Sequence, residues 1–272
     1  MTADTSFWRG RAVLVTGCTG FLGGAVTREL LARGAEVVGL INERPATDIS
    51  GPQQGGRVHL VRGRTDNVFR LHSAMAVHEV EAVFHLATHE GAEDRGTPAV
   101  LQAAKLYSRR VPIVTARPLP QLALAQTEDR REERLSVVRF GEVFGPGDRK
   151  LFRVVPASAI GLLTGDSVPV PADGPARDFV FVRDAARACL RAAEVPPGEF
   201  AFRSGWLMSE RQMAAAVRDA CAGRVVEIPD SAPVANPLGW QPQRLGEALN
   251  ETLSWYREFL RAGCAVPVRA AA

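Results

Sequence analysis

Three groups of residues in the 272-residue chain have the types and spacing to do chemistry. The first is a glycine triplet, Gly17-x-x-Gly20-x-x-Gly23, in the stretch RAVLVTGCTGFLGGAVTRELLARG (Arg11–Gly34). Glycines so spaced permit a tight turn at Gly17, close approach of a pyrophosphate at Gly20 and close helix–strand packing at Gly23. Thr19, Phe21 and Leu22 complete that loop. The second group is Glu43 and Arg44. An acid here would accept the ribose hydroxyls of adenosine, whereas an arginine would take a 2′-phosphate; both also read as solvated loop charges. The third is His89, Glu142 and Arg117. Imidazole exchanges protons near neutral pH, a buried glutamate becomes a usable base, and a guanidinium stabilises an oxyanion or phosphate. His89 and Arg117 read equally as surface groups. His85 reads as a packed core histidine. The four cysteines, Cys18, Cys189, Cys221 and Cys264, lack metal-ligand spacing, and no Ser-His-Asp arrangement is evident.

These groups need a scaffold, and the chain supplies alternating elements. Ala12–Val15 is a short β-branched run of the kind buried on both faces of a sheet, and Val26, Leu30 and Leu31 repeat at helical spacing until Gly34 caps the helix. Strands are expected at Glu36–Ile41, Val58–Val61, Ala82–Ala87, Val111–Ala116 and from Leu135, then at Glu199–Phe202. Helices are expected at Ala99–Arg109, Phe152–Leu163 and Ala185–Glu194. Ser209-x-x-Gln212 is a capping box opening a helix over Glu210–Ala222, and Leu245, Leu249, Leu253, Tyr256 and Leu260 line one face of a terminal helix. Short apolar strands alternating with helices specify an α/β doubly wound parallel sheet. Thr88 and His89 follow the fourth strand, at the sheet edge where open α/β proteins bind ligands.

The wording of several stretches resembles the NAD-dependent epimerase/dehydratase family, the extended short-chain dehydrogenase/reductases. TGCTGFLG (Thr16–Gly23) is similar to its TGxxGxxG turn, AVFHLA (Ala82–Ala87) to its fourth strand, LSVVRFGEVFGPGD (Leu135–Asp148) to its RxxNVYGPGD segment, and RDFVFVRD (Arg177–Asp184) to its RDFVYVxD segment. GLINERP is close to the CDP-glucose dehydratase segment that carries the ribose-binding acid at the position of Glu43, and LGWQP is similar to the turn before the family's last helix. The resemblance implies a Rossmann-type domain over residues 1–149 and 177–204 with a small substrate-binding cap over 150–176 and 205–272. It implies NAD, with NADP as the alternative, held by the glycine loop, Glu43, Asp66, Leu86, Ala87, Thr88 and Thr115. It further implies a nucleotide-linked substrate bound by Arg177, with Glu142 in the position of the family's Asn.

One element is missing from this resemblance. The family's base is the tyrosine of Tyr-x-x-x-Lys, which takes a proton from a sugar hydroxyl while hydride passes to nicotinamide. Here Tyr107 and Tyr256 are the two tyrosines, and neither has lysine four residues on. RREER runs from the YTED-like Gln126–Asp129 directly into the next strand, as though the catalytic helix were cut out. The same helix contributes to the relatives' usual dimer contact, so that dimer is a weaker expectation. Loss of a general base alone removes about two to four decades of rate. Three readings follow: an enzyme on a nucleotide-sugar or similar hydroxylated substrate with substitute groups; a non-redox lyase, isomerase or cyclase; or a cofactor-binding partner protein without catalysis. A formal net charge of +3 is too slight to argue for nucleic-acid or membrane partners, so neither is expected, and the absence of a long apolar run, with scattered cysteines, fits a cytoplasmic protein.

Overall fold

Parallel strands place the glycine turn at the edge of the sheet where their C-terminal ends emerge. The computed structural model describes residues 6–41, 57–87, 95–108, 110–119, 134–166, 174–226 and 236–263. Within them, β1 (Ala12–Thr16), β2 (Glu36–Ile41), β3 (Arg57–Arg62), β4 (Ala82–His85), β5 (Ile113–Pro118), β6 (Leu135–Phe140) and β9 (Glu199–Ala201) form one sheet in the order β3-β2-β1-β4-β5-β6-β9. Every pairing in this sheet is parallel. This is the expected Rossmann-type order, extended by β9 as a seventh strand.

Helices cover both faces. Leu14, Val38, Val83, Ile113 and Leu135 pack with Leu71 and Met75 of α2 (Val68–Val77) and with Ala99, Val100, Ala103 and Ala104 of α3 (Gly96–Tyr107). Their neighbours along each strand point the other way, because side chains alternate with period two. On that second face α1 (Phe21–Ala32) packs against α5 (Val182–Ala193), and Ser136 Oγ donates to Ala192 O at 3.2 Å. The helix α2 is not among the elements expected from the sequence. Asn67 opens it by accepting from Arg70 N at 2.9 Å, and its buried stripe of Leu71, Ala74 and Met75 is too short to stand out from its polar neighbours.

A second sheet has the order β10-β8-β7, formed by β7 (Glu142–Phe144), β8 (Arg177–Phe181) and β10 (Leu207–Met208). Here β7 and β8 run parallel, and β10 is antiparallel to β8. The helices α4 (Val154–Thr164), α6 (Glu210–Cys221) and α7 (Leu245–Arg261) pack with one another. The capping box of α6 is formed as the sequence specified: Gln212 N donates to Ser209 Oγ, and Ser209 N donates to Gln212 Oε1. Leu245, Leu249, Leu253 and Tyr256 of α7 are buried.

The chain divides into two compact units, Met1–Gly141 with Val182–Arg203 and Ala235–Gln241, and Glu142–Phe181 with Ser204–Val234 and Pro242–Ala272. These boundaries differ from the expected 149 and 177. The strand carrying Arg177 pairs with β7 on one side and with β10 on the other, so this segment leaves the large sheet. Trp240 goes the opposite way, its ring 5.5 Å from that of Phe202 and its Nε1 donating to Asp184 O at 3.3 Å.

Candidate functional site

The turn between β1 and α1 is closed by its own backbone. Gly17 has φ +74°, and Gly20 N donates to Gly17 O at 2.8 Å. A Cβ on Gly17 would lie 2.7 Å from Ala87 N and 2.9 Å from the carbonyl carbon of Leu86, so the segment after β4 lies directly against the turn. A Cβ on Gly23 would lie 2.0 Å from Gly17 O. Leu86 N donates to Thr16 O at 3.1 Å and Ala87 N to Thr16 Oγ1 at 3.4 Å. Turn, helix start and the end of β4 are therefore one rigid unit that only glycine permits at two positions.

The start of α1 suits an anion. Its N-cap is Gly20, without a side-chain cap, and no acidic residue stands in the first turn. The first amides of a helix have no intrahelical acceptor and carry the positive end of its dipole. Thr19 and Gly20 are exposed, and Phe21 and Leu22 are half-buried. Cys18, in contrast, turns inward. It is 2% exposed, with its Sγ 2.8 Å from the position of a Cβ on Gly39 of β2, and burial pushes its thiol up to about 11.

Thr16, His85 and Thr115 stand side by side in register across β1, β4 and β5, all buried. Thr16 Oγ1 and His85 Nδ1 are 2.7 Å apart, and the imidazole edge faces Gly96, where a Cβ would lie 3.0 Å from Cε1. His85 is thus the packed histidine the sequence suggested, and it bonds the residue that precedes the glycine turn. Two residues beyond Thr115 on β5, Arg117 donates from Nη2 to Thr97 Oγ1 at 3.3 Å, at the first turn of α3. Asp66 is exposed and held in a bidentate pair by Arg64, with Nε to Oδ1 at 3.0 Å and Nη2 to Oδ2 at 2.7 Å. Glu43, Arg44, Thr88 and His89 lie outside the described residues.

The second unit carries a separate charged cluster. Arg177 Nη1 is 3.1 Å from Glu210 Oε1 and 3.9 Å from Glu142 Oε2. Glu142 also faces Arg153, with Nε 3.6 Å from Oε1, and Arg153 Nη1 is 3.4 Å from Asp148 Oδ2. Burial raises the Asp148 carboxyl, partly offset by the Lys150 amide and Arg153. Asp178, next to Arg177, plays a structural part, its carboxylate accepting from Ser204 N and Oγ and from Gly205 N at 3.0–3.1 Å. The structure thus brings Arg177 and Glu142 together and adds Glu210, which sequence reading missed. The carboxylate of Glu210 sits at the first position of a capped helix, and nothing local marks it as a partner of β8.

Neither tyrosine has the setting of a base. Tyr256 is fully buried, its hydroxyl donating to Asp148 O at 2.7 Å, and burial drives its pKa far upward. Tyr107 lines a groove of about 350 Å³ with Glu79, Glu81, Val111 and Pro112, residues that lead into β4 and β5 at the sheet edge opposite the glycine turn. Its pKa is also raised, first by burial and then by Glu79 and Glu81. Both lysines, Lys105 and Lys150, are exposed. Among the described residues no cluster of His, Cys, Asp and Glu could hold a metal ion, and no helix is long and apolar enough to cross a membrane.

The chain is similar to two dTDP-4-dehydro-6-deoxy-D-allose reductases. The one from a Streptomyces species is 29% identical, with 94% of this chain and 99% of that protein covered; the one from Streptomyces bikiniensis is 27% identical, with 96% and 100% covered. Those alignments run over 327 and 330 positions, more than the length of this chain, so stretches of both relatives have no counterpart here. The fold is similar to that of the Bordetella bronchiseptica enzyme WbmF solved with NAD+ and UDP, at a TM-score of 0.75, 21% identity and coverage of 94% and 95%. It is also similar to Thermotoga maritima UDP-glucose 4-epimerase solved with UDP-glucose, at a TM-score of 0.74, 21% identity and coverage of 92% and 99%. The family model described as "NAD dependent epimerase/dehydratase family" matches residues 13–105 and 121–201, breaking across the end of α3 and all of β5. With most of the sheet and its glycine turn inside that match, the chain belongs to the NAD-dependent epimerase/dehydratase family, whose cofactor is NAD(H).

Proposed function

We propose that this chain binds NAD(H) on the glycine turn and acts on a nucleotide-linked sugar or similar hydroxylated substrate by a route that does not use a Tyr/Lys pair. The observation that carries the first half is the start of α1: a glycine cap without a side-chain acceptor, closed by a turn that a Cβ would fill. Gly17, Thr19, Gly20, Phe21, Leu22 and Gly23 would hold the pyrophosphate, with Leu86, Ala87, Thr88 and Thr115 beside it. Bound NAD supplies a hydride acceptor and, reduced, a hydride donor. Glu43 would take the adenosine ribose, and Asp66 would contact the adenine end only by leaving Arg64. The nucleotide-linked substrate class is supported by the names of the similar reductases and by the UDP bound to WbmF. Arg177 would receive its phosphate, and Glu142 would hydrogen-bond the substrate or act as base.

The second half is supported by the positions of Tyr107 and Tyr256, one at the wrong sheet edge and one hydrogen-bonded in a core. Proton transfer then falls to His89 or Glu142, with Arg117 stabilising an oxyanion or binding phosphate. Titration with NAD and NADP is the first test. Failure of both to bind sinks the proposal, and a strong preference for NADP assigns the adenosine end to Arg44. The second test offers a dTDP-4-dehydro sugar with deuterium-labelled reduced cofactor and follows the label into product. Label transfer that survives Tyr107→Phe and Tyr256→Phe but falls in His89→Ala or Glu142→Gln fits the proposal. Binding without turnover on any hydroxylated substrate would instead fit a cofactor-binding partner protein.

A further inference from the structure

Arg177 does not stand as an open cation. Its Nη1 is shared by Glu210 at 3.1 Å and Glu142 at 3.9 Å, while its Nε is buried without a hydrogen-bond partner. A second cation that shares Glu142, Arg153, is divided between Glu142 at 3.6 Å and Asp148 at 3.4 Å. These pairs are half-buried, with Arg177, Glu142 and Glu210 side chains 37%, 29% and 40% exposed, so solvent weakens the charges without erasing them. An anion arriving at Arg177 meets a guanidinium whose field is already opposed by two carboxylates.

We infer that Glu142 and Glu210 are specificity-determining residues whose carboxylates counterbalance Arg177, so that this site discriminates against surplus negative charge and favours a nucleotide-linked sugar over the free nucleoside diphosphate. The inference rests on the reading that Arg177 receives the substrate's phosphate. Esterifying the terminal phosphate with a sugar removes one ionisable oxygen, so the free diphosphate carries more negative charge at neutral pH. The two glutamates repel that extra charge most. Such an arrangement lets a nucleotide-sugar compete with free nucleotide in the same solution. It also explains why the site keeps carboxylates beside the group that must attract phosphate.

The test measures binding of dTDP and dTDP-glucose by calorimetry to the full chain, to Glu142→Gln and Glu210→Gln, and to Arg177→Gln. Removing a unit charge beside the guanidinium at a half-buried site shifts the affinity for an anion by about three- to tenfold. Each glutamine variant is therefore expected to bind dTDP about three- to tenfold more tightly, with a smaller gain for dTDP-glucose, and the gain shrinks at high salt. Arg177→Gln is expected to weaken both ligands. If Arg177→Gln binds both as the natural chain does, the reading of Arg177 fails and the inference with it. If Arg177→Gln weakens both but the glutamine variants leave the dTDP to dTDP-glucose ratio unchanged, or bind dTDP less well, the counterbalance alone is overturned. Glu210 lies in the first turn of α6 and is the most exposed member of the set, so Glu210→Gln decides the matter if Glu142→Gln folds poorly.

Discussion

Alanine substitution at two adjacent glycines of α1 should move stability in opposite directions. In a helix, glycine to alanine ordinarily stabilises by about 0.5–1 kcal/mol. Gly24 is such a position, because a Cβ there would meet Arg28 Nη1 and Cys18 O at 3.5 Å, ordinary contact distance. At Gly23 the new Cβ would sit 2.0 Å from Gly17 O and 2.7 Å from its carbonyl carbon. Those are backbone atoms of a turn that is itself packed against Leu86 and Ala87, so no flexible side chain can yield. Forced overpacking of this kind costs about 1–3 kcal/mol, and the rigid neighbours place Gly23→Ala near the upper end. With a urea m-value of about 2–3 kcal/mol/M, that lowers the midpoint by roughly 1 M, while Gly24→Ala raises it by roughly 0.3 M. Affinity for NAD should fall at least about tenfold in Gly23→Ala, equal to about 1.4 kcal/mol, because the displaced turn is the proposed pyrophosphate cradle. Urea unfolding and calorimetric NAD titration of both variants read these values. A Gly23→Ala midpoint at or above that of the natural chain, with unchanged NAD affinity, would refute the close packing and the role built on it. Equal shifts in both variants would show that helix propensity alone governs the site.

Three further outcomes follow from the described contacts. Tyr256→Phe removes the hydroxyl that donates to Asp148 O at 2.7 Å and should cost about 1–2 kcal/mol of stability while leaving NAD affinity unchanged; a loss of turnover beyond the unfolded fraction would return this tyrosine to catalysis. Cys18, buried with its thiol pushed up to about 11, is thiolate in only about one molecule in a thousand at pH 8, so native alkylation followed by mass spectrometry should spare it and buried Cys189 while labelling half-buried Cys221. Asp148 has its carboxyl raised above the ordinary 3.8, chiefly by burial, so the folded state holds its proton more tightly than the unfolded chain does. Its contribution to stability is then complete below the ordinary value and declines as pH rises through the raised one. Unfolding free energies of the natural chain minus those of Asp148→Asn should accordingly fall from pH 3.5 upward, and a difference that rises with pH would overturn the assignment.

Much of this architecture is written locally. A short β-branched run, glycines three apart and a helix closed by Gly34 lie within one stretch, and the steric demand at Gly23 comes from Gly17 in the same turn, whereas that at Gly17 comes from Leu86 and Ala87 on the far side of the strand pairing. The strand order follows, since parallel strands joined by helices admit few topologies. The capping box of Ser209 and Gln212 was legible for the same reason, both partners belonging to one helical turn. What period and spacing could not decide is who meets whom across the chain. Glu210, Glu142 and Arg177 come from α6, β7 and β8, and only the pairing of those strands and the start of that helix gathers them around one guanidinium. Likewise Tyr256 reads in sequence as one more apolar position on α7, and its fate was settled by the Asp148 carbonyl that tertiary packing sets against it. Local rules act through neighbours in sequence, whereas charge and hydrogen bonding act through neighbours in space, and for this chain the second kind determines the electrostatics around Arg177.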